Sequence, residues 1–164
     1  MTTGQRQVPS LTVTAPGEHE IHFERTFEAP RDVVWRAFTD PTLISEWWGG
    51  GATVEEMDVR VGGSWKFLGG HGPGGQYVFQ GEYLEVDPPH RLVQTHQNAW
   101  FSGLVYTESL EFEDLGDNRT RFTQTTRFDT TEQRDMVFQT AEQGAHFTYS
   151  RLDQLLARLS NSNG

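Results

Sequence analysis

The sequence predicts an α+β domain, a curved antiparallel sheet of seven strands around one long C-terminal helix, with two short helices after the first strand. Three observations carry this expectation. Residues 21–28 alternate apolar and polar, the period of a half-buried strand. The stretch 52–128 is a succession of short β-type runs punctuated by Gly62-Gly63, the glycines of 69–75, Asp87-Pro88-Pro89 and Leu115-Gly116-Asp117-Asn118. From Asp129 the period changes to about 3.6, and Leu152, Leu155, Leu156 and Leu159 form one apolar stripe.

In the first strand Ile21, Phe23, Arg25 and Phe27 share one face, and Ala29-Pro30 ends it because proline cannot donate to a ladder. Val33, Val34, Ala37 and Phe38 mark the first short helix. Asp40 is placed to cap a second, with Pro41 at its first position and Trp47-Trp48 running into Gly49-Gly50-Gly51. Six further strands are expected near 52–60, 64–68, 76–86, 91–98, 104–114 and 120–128. A capping box, Thr130 with Gln133 or Asp129 with Glu132, opens the last helix, which is expected to end near Leu159. Residues 1–18 are polar and aperiodic and are expected to form a flexible tail, residues 19–160 the domain, and residues 161–164 a disordered end. A twisted sheet with one apolar face needs a cover, and only the last helix is long enough. The gap between such a sheet and helix is where a ligand of drug-like size would sit, in a cavity on the order of 300 Å3 or more.

Composition narrows function mostly by exclusion. With 23 acidic against 13 basic residues the chain carries a formal charge of −10 and no Lys/Arg run, which argues against nucleic-acid and anionic membrane surfaces. Without cysteine there are no disulfides, thiolate nucleophiles or cysteine metal sites. No signal peptide or membrane span is evident, so a cytoplasmic protein is expected. The histidines His19, His22, His71, His90, His96 and His146 form no close ligand pair on a helical face, so no metal is expected. Residues 70–75 spell G-x-G-x-x-G, but a strand rather than a helix follows them, so neither a nucleotide nor another cofactor is expected. No G-x-S-x-G elbow occurs.

Polar residues on apolar strand faces are the informative class. Arg25 lies among Ile21, Phe23 and Phe27; Glu108 among Leu104, Tyr106, Leu110 and Phe112; Gln124 with Phe122 and Phe128. A buried charge needs a partner, water or a ligand. The expected cavity residues are Arg25, Trp48, Trp65, His96, Tyr106, Glu108, Gln124 and His146, with no catalytic residue assigned. Parity also predicts that Arg25 and Glu108 meet across two strand spacings, roughly 9.5 Å.

The run Phe27-Glu28-Ala29-Pro30, Val34-Trp35-Arg36-Ala37-Phe38-Thr39-Asp40-Pro41 and Trp47-Trp48 resembles the opening signature of the activator of heat-shock protein 90 ATPase-like family, a branch of the START/Bet v 1-like (SRPBCC) superfamily. Val61-Gly62-Gly63-Ser64-Trp65-Lys66-Phe67, Gly81-Glu82-Tyr83-Leu84-Glu85-Val86-Asp87-Pro88-Pro89 with Arg91-Leu92-Val93, Thr120, and Leu152-Asp153-Gln154-Leu155 are similar to its later motifs, over roughly residues 20–160. The resemblance implies a helix-grip fold and a domain that binds a small hydrophobic or aromatic molecule. Two alternatives stay open: a cyclase- or dehydratase-type enzyme using Glu108, His96 or His146 as acid/base, and a chaperone ATPase regulator with a chaperone partner. Gly144-Ala145-His146-Phe147 departs from the Gly-Trp of many relatives, which implies an altered pocket wall.

Overall fold

The structure is a computed structural model that describes residues 11–72, 75–98, 101 and 103–162. The first ten residues of the expected tail, the tip of the glycine run, Trp100 and the last two residues of the expected disordered end lie outside the described residues. The elements are β1 (Thr12–Thr14), β2 (Glu20–Phe27), α1 (Arg31–Thr39), α2 (Pro41–Trp47), a 3-10 turn (Trp48–Gly50), β3 (Ala52–Met57), β4 (Ser64–Gly72), β5 (Gly75–Asp87), β6 (Arg91–Asn98), β7 (Val105–Gly116), β8 (Arg119–Arg127) and α3 (Thr131–Ser162). They form one antiparallel sheet in the order β1-β2-β8-β7-β6-β5-β4-β3, with α3 across its apolar face. This is the helix-grip architecture.

The sheet has eight strands, one more than the seven expected. The addition is β1, an edge strand pairing Thr12–Thr14 with Glu24–His22, in a segment whose sequence shows no alternation. Tertiary contacts hold it. Leu11 is buried, and the guanidinium of Arg134 on α3, itself buried, donates through Nη1 to the carbonyls of Ala15, Gly17 and Glu20 at 3.0–3.3 Å. An edge strand anchored through its backbone needs no hydrophobic pattern of its own.

The glycine run is another departure. Expected as a loop, residues 69–72 instead extend β4, with Gly69 opposite Tyr77 and Gly72 opposite Gly75. A strand, β5, follows the run, so the helix N-terminus of a dinucleotide site is missing. Register shifts between Tyr83 and Glu85 on β5, and between Val54 and Glu56 on β3, add the twist that curves the sheet around the helix.

Local chemistry explains the helix starts. Asp40 Oδ1 accepts from the Thr42 and Leu43 amides at 2.8 and 3.3 Å, with Pro41 in the first turn. Thr130 Oγ1 accepts from the Gln133 amide at 3.1 Å, but Gln133 Oε1 has no partner among the described residues, so only half of the expected capping box forms. The last helix runs through Ser162, past the expected end near Leu159. Asn and Ser cost a helix only a few tenths of a kcal/mol each.

One end of the grip is filled. Phe27, Phe38, Trp47, Phe112, Phe122 and Tyr149 pack with ring centroids 4.8–6.3 Å apart. Such pairs add about 0.5–1.5 kcal/mol each beyond area burial. Trp47 Nε1 donates to the Ala37 carbonyl at 2.9 Å, and the fully buried Thr120 hydroxyl donates to the Ala29 carbonyl at 2.7 Å, tying α1 to the sheet. The other end of the grip is not filled.

Candidate functional site

A cavity of about 310 Å3 lies between the sheet and the middle of α3. Its position follows from the helix phase. Val137, Ala141, Gly144, Ala145 and Thr148 face the sheet, and their small side chains leave space where Leu152, Leu155 and Leu156, farther along, fill it. Trp48 closes one side. The chain leaves α2 at Trp48 with extended ψ and passes through Gly49, Gly50 and Gly51, all at positive φ. That turn separates the adjacent tryptophans: Trp47 enters the core, and Trp48 packs on Phe67 and Phe79 at 5.1 and 4.9 Å.

The floor is built from three sheet rows, which the strand register fixes. One row places Leu92 opposite Leu110, Leu110 opposite Gln124 and Gln124 opposite Phe23. The next places Gln94 opposite Glu108, Glu108 opposite Thr126 and Thr126 opposite Ile21. The third places His96 opposite Tyr106. Polar groups from three strands, β6, β7 and β8, therefore converge around one carboxylate. Glu108 Oε1 accepts from Gln94 Nε2 at 3.0 Å and from His96 Nδ1 at 3.3 Å. Its Oε2 accepts from Gln124 Nε2 at 3.3 Å, and Gln124 also reaches the Thr126 hydroxyl at 3.0 Å.

Burial pushes the pKa of Glu108 up, but the positive charge of His96 and the hydrogen bonds from His96 and Gln94 together outweigh it and hold the carboxyl below its ordinary value. The cavity lining has no Lys or Arg among the described residues, so His96 is the one group there that can carry a positive charge. Its imidazole stacks on Tyr106 with centroids 4.9 Å apart and planes 9° from parallel, and meets Trp65 edge-on at 5.3 Å. Trp65 is fixed in turn by donating Nε1–H to the Thr95 carbonyl at 3.2 Å over Gly81, where a Cβ would lie 1.9 Å from that oxygen. On the helix side, Tyr149 is kept protonated by burial and by the nearby Glu108 charge, which outweigh the opposing pull of Arg25.

Trp48, Trp65, His96, Tyr106, Glu108 and Gln124 thus line the cavity. Arg25 and His146 do not. His146 is one residue past Ala145, and the 100° turn per helical residue carries it to the exposed face. Arg25 is buried, but in the row Arg25–Phe122–Phe112, four residues along the sheet from the Glu108 row, about 13 Å away in the strand direction. The expected Arg25–Glu108 contact is therefore absent. Arg25 instead donates from Nη2 to Asp153 Oδ2 on α3, and its Cζ lies 5.7 Å from the Phe27 ring centroid. Gln94, Thr126 and Tyr149 were not anticipated. Gln94 was legible, because it shares parity with His96 two residues on.

A family model, Activator of Hsp90 ATPase homolog 1-like protein, matches residues 28–157. The chain belongs to this family. Among solved structures, a protein from Rhodobacter sphaeroides is similar at 21% identity and a TM-score of 0.81, the match covering 92% of this chain and 99% of that one. A protein from Mycobacterium smegmatis is similar at 25% identity and a TM-score of 0.79, covering 90% and 97%. An HSP90 activator from Plasmodium falciparum shares the fold at 19% identity and a TM-score of 0.61, covering 85% and 96%. No curated protein matches the chain. In this member of the Activator of Hsp90 ATPase homolog 1-like family, no helix among the described residues is long and apolar enough to cross a membrane. No cluster of three or more His, Asp or Glu side chains suited to a metal occurs among the described residues either.

Proposed function

We propose that the domain binds a small, largely apolar molecule in the cavity between the sheet and α3. The observation that carries this is the pairing of an unfilled aromatic-walled space of about 310 Å3 with a converged polar cluster at its floor. A domain under selection for packing alone gains nothing from either feature. Empty space forfeits dispersion contacts, and a buried carboxylate costs several kcal/mol before its partners repay it. Apolar walls with a few convergent polar groups are the usual make-up of a ligand site.

Native mass spectrometry of freshly purified protein, followed by binding of a panel of one- and two-ring apolar compounds, tests this. Ala141→Trp places a large ring in the cavity from the helix side. The expected result is that the wild type retains compounds from the panel and the filled variant, still cooperatively folded, does not. Equal binding by both proteins would place the ligand elsewhere and overturn the proposal.

A second reading, an acid/base enzyme in the same cavity, is favoured by the contact between His96 and Glu108. A carboxylate–imidazole pair beside bound substrate is the usual equipment for moving a proton.

A further inference from the structure

We propose that His96, oriented by Glu108, is the proton acceptor of the cavity, and that the cavity takes a planar, uncharged ligand with a weakly acidic hydroxyl, a phenol or an enol, placed against His96 Nε2. This rests on the cavity being a ligand site and specifies what it selects.

The ring nitrogens of His96 have different tasks. An ionised carboxylate only accepts hydrogen bonds, so Nδ1, at 3.3 Å from Glu108 Oε1, carries a hydrogen. Nε2 makes no hydrogen bond among the described residues, and the ring lines the cavity, so Nε2 is the nitrogen left for a ligand. In the neutral ring Nε2 is an acceptor, and in the cation a donor. A hydroxyl satisfies the first state and the corresponding oxyanion the second, so the same ligand fits the site on either side of a proton transfer.

Charge selects the ligand class. A permanently anionic ligand would face Glu108 with no Lys or Arg in the lining to offset it. A permanent cation would find both Glu108 oxygens already accepting hydrogen bonds from Gln94, His96 and Gln124. A neutral acid avoids both conflicts. When the O–H bond breaks, its electron pair stays on oxygen, the proton adds to Nε2, and the imidazolium lies against the Glu108 carboxylate. The other titratable groups lining the cavity are phenols: Tyr106 on β7, Tyr83 on β5 and Tyr149 on α3. Tyr83 and Tyr149 are both held protonated, by burial first, so neither competes as a base near neutral pH. Planarity follows from the walls: Trp48, Trp65, Phe79 and Tyr106 present ring faces and edges 4.9–6.2 Å from the imidazole.

The test compares 7-hydroxycoumarin, whose phenol and phenolate absorb at different wavelengths, with 7-methoxycoumarin, which lacks the proton. Wild-type protein is expected to bind the hydroxy compound roughly tenfold more tightly, and to lower its apparent pKa by about one unit. In His96→Phe the methoxy compound still binds, and both the preference and the spectral shift are lost. In Glu108→Gln both compounds bind, but the pKa shift shrinks because the imidazolium has lost its counter-charge. Equal affinities for the two coumarins in the wild type, with no spectral shift, overturn the proton-acceptor role while leaving the cavity as a ligand site; that comparison needs no variant to fold. Failure of both to bind the wild type, with the amide resonances of Thr126 and Ala141 unmoved, overturns the cavity reading as well.

Discussion

Nδ1 of His96 on β6 lies 3.3 Å from Oε1 of Glu108 on β7, although the residue paired with Glu108 in the ladder is Gln94. The contact is diagonal, one row along the same face, and Gln94 makes the direct one at 3.0 Å. Glu108 is thereby held from two positions of a single strand, and Gln124 on β8 holds it from the other side. This geometry fixes the carboxylate without an arginine or lysine.

The Glu108 carboxyl should leave a mark on stability at low pH. Its folded pKa is depressed below the unfolded value, so its contribution is fully present above the ordinary glutamate pKa, about 4.3, and is lost as pH falls through the folded value. The stability difference between wild type and Glu108→Gln is expected to decline, to the wild type's disadvantage, as pH falls from about 5 to below about 4. Urea denaturation across that range measures it. A difference that stays constant down to pH 3 would show that Glu108 is not held ionised.

The Arg25–Asp153 pair ties β2 to α3 at the filled end of the grip. Arg25 is almost fully buried while Asp153 is 38% exposed, and Arg25 Nε has no partner among the described residues. Burial raises the pKa of Asp153, Arg25 pulls it back down, and Glu28 adds to the rise, leaving it raised overall. Removing the carboxylate strands a buried cation. Asp153→Ala is expected to lose about 2 kcal/mol, and Arg25→Met, which strands only a half-exposed carboxylate, to lose less. Coumarin binding should survive both changes, since neither residue lines the cavity.

Gly81 is required by close approach rather than by its backbone angles. A Cβ there would meet the Thr95 carbonyl oxygen at 1.9 Å and Trp65 Nε1 at 2.5 Å. Gly81→Ala must push β5 from β6 or displace the Trp65 indole, and overpacking of this kind costs about 1–3 kcal/mol. Loss of the Trp65 hydrogen bond should also shift its indole N–H resonance. An alanine variant of wild-type stability would contradict the packing described.

Arg134 gives β1 its anchor. Arg134→Met removes three hydrogen bonds to carbonyls. The amides of β1 that pair with β2 are expected to lose hydrogen-exchange protection, while those of β6 and β7 keep theirs. Unchanged protection in β1 would mean that backbone pairing alone holds the strand.

The element order was legible from local chemistry. Alternation around Phe23, the Asp40-Pro41 start and the Leu152–Leu159 stripe are short-range signals, and each specifies its element whatever lies opposite. Parity likewise turned Tyr106, Glu108 and Gln124 inward, because a strand offers a side chain only two faces. Tertiary structure decided what these residues meet. Arg25 and Glu108 both point in, but register, set by the pairing of Arg25 with Phe122 and of Glu108 with Thr126, puts them in different rows. The sequence has no local term for that offset. His146 was misplaced because the helix phase is set by which stripe packs on the sheet, and Ala145, Thr148 and Tyr149 take that face. Strand β1 escaped notice because its stability comes from Arg134, more than a hundred residues away along the chain. Parity can be read from a single strand, whereas register and long-range anchoring depend on partners that come together only in the folded chain.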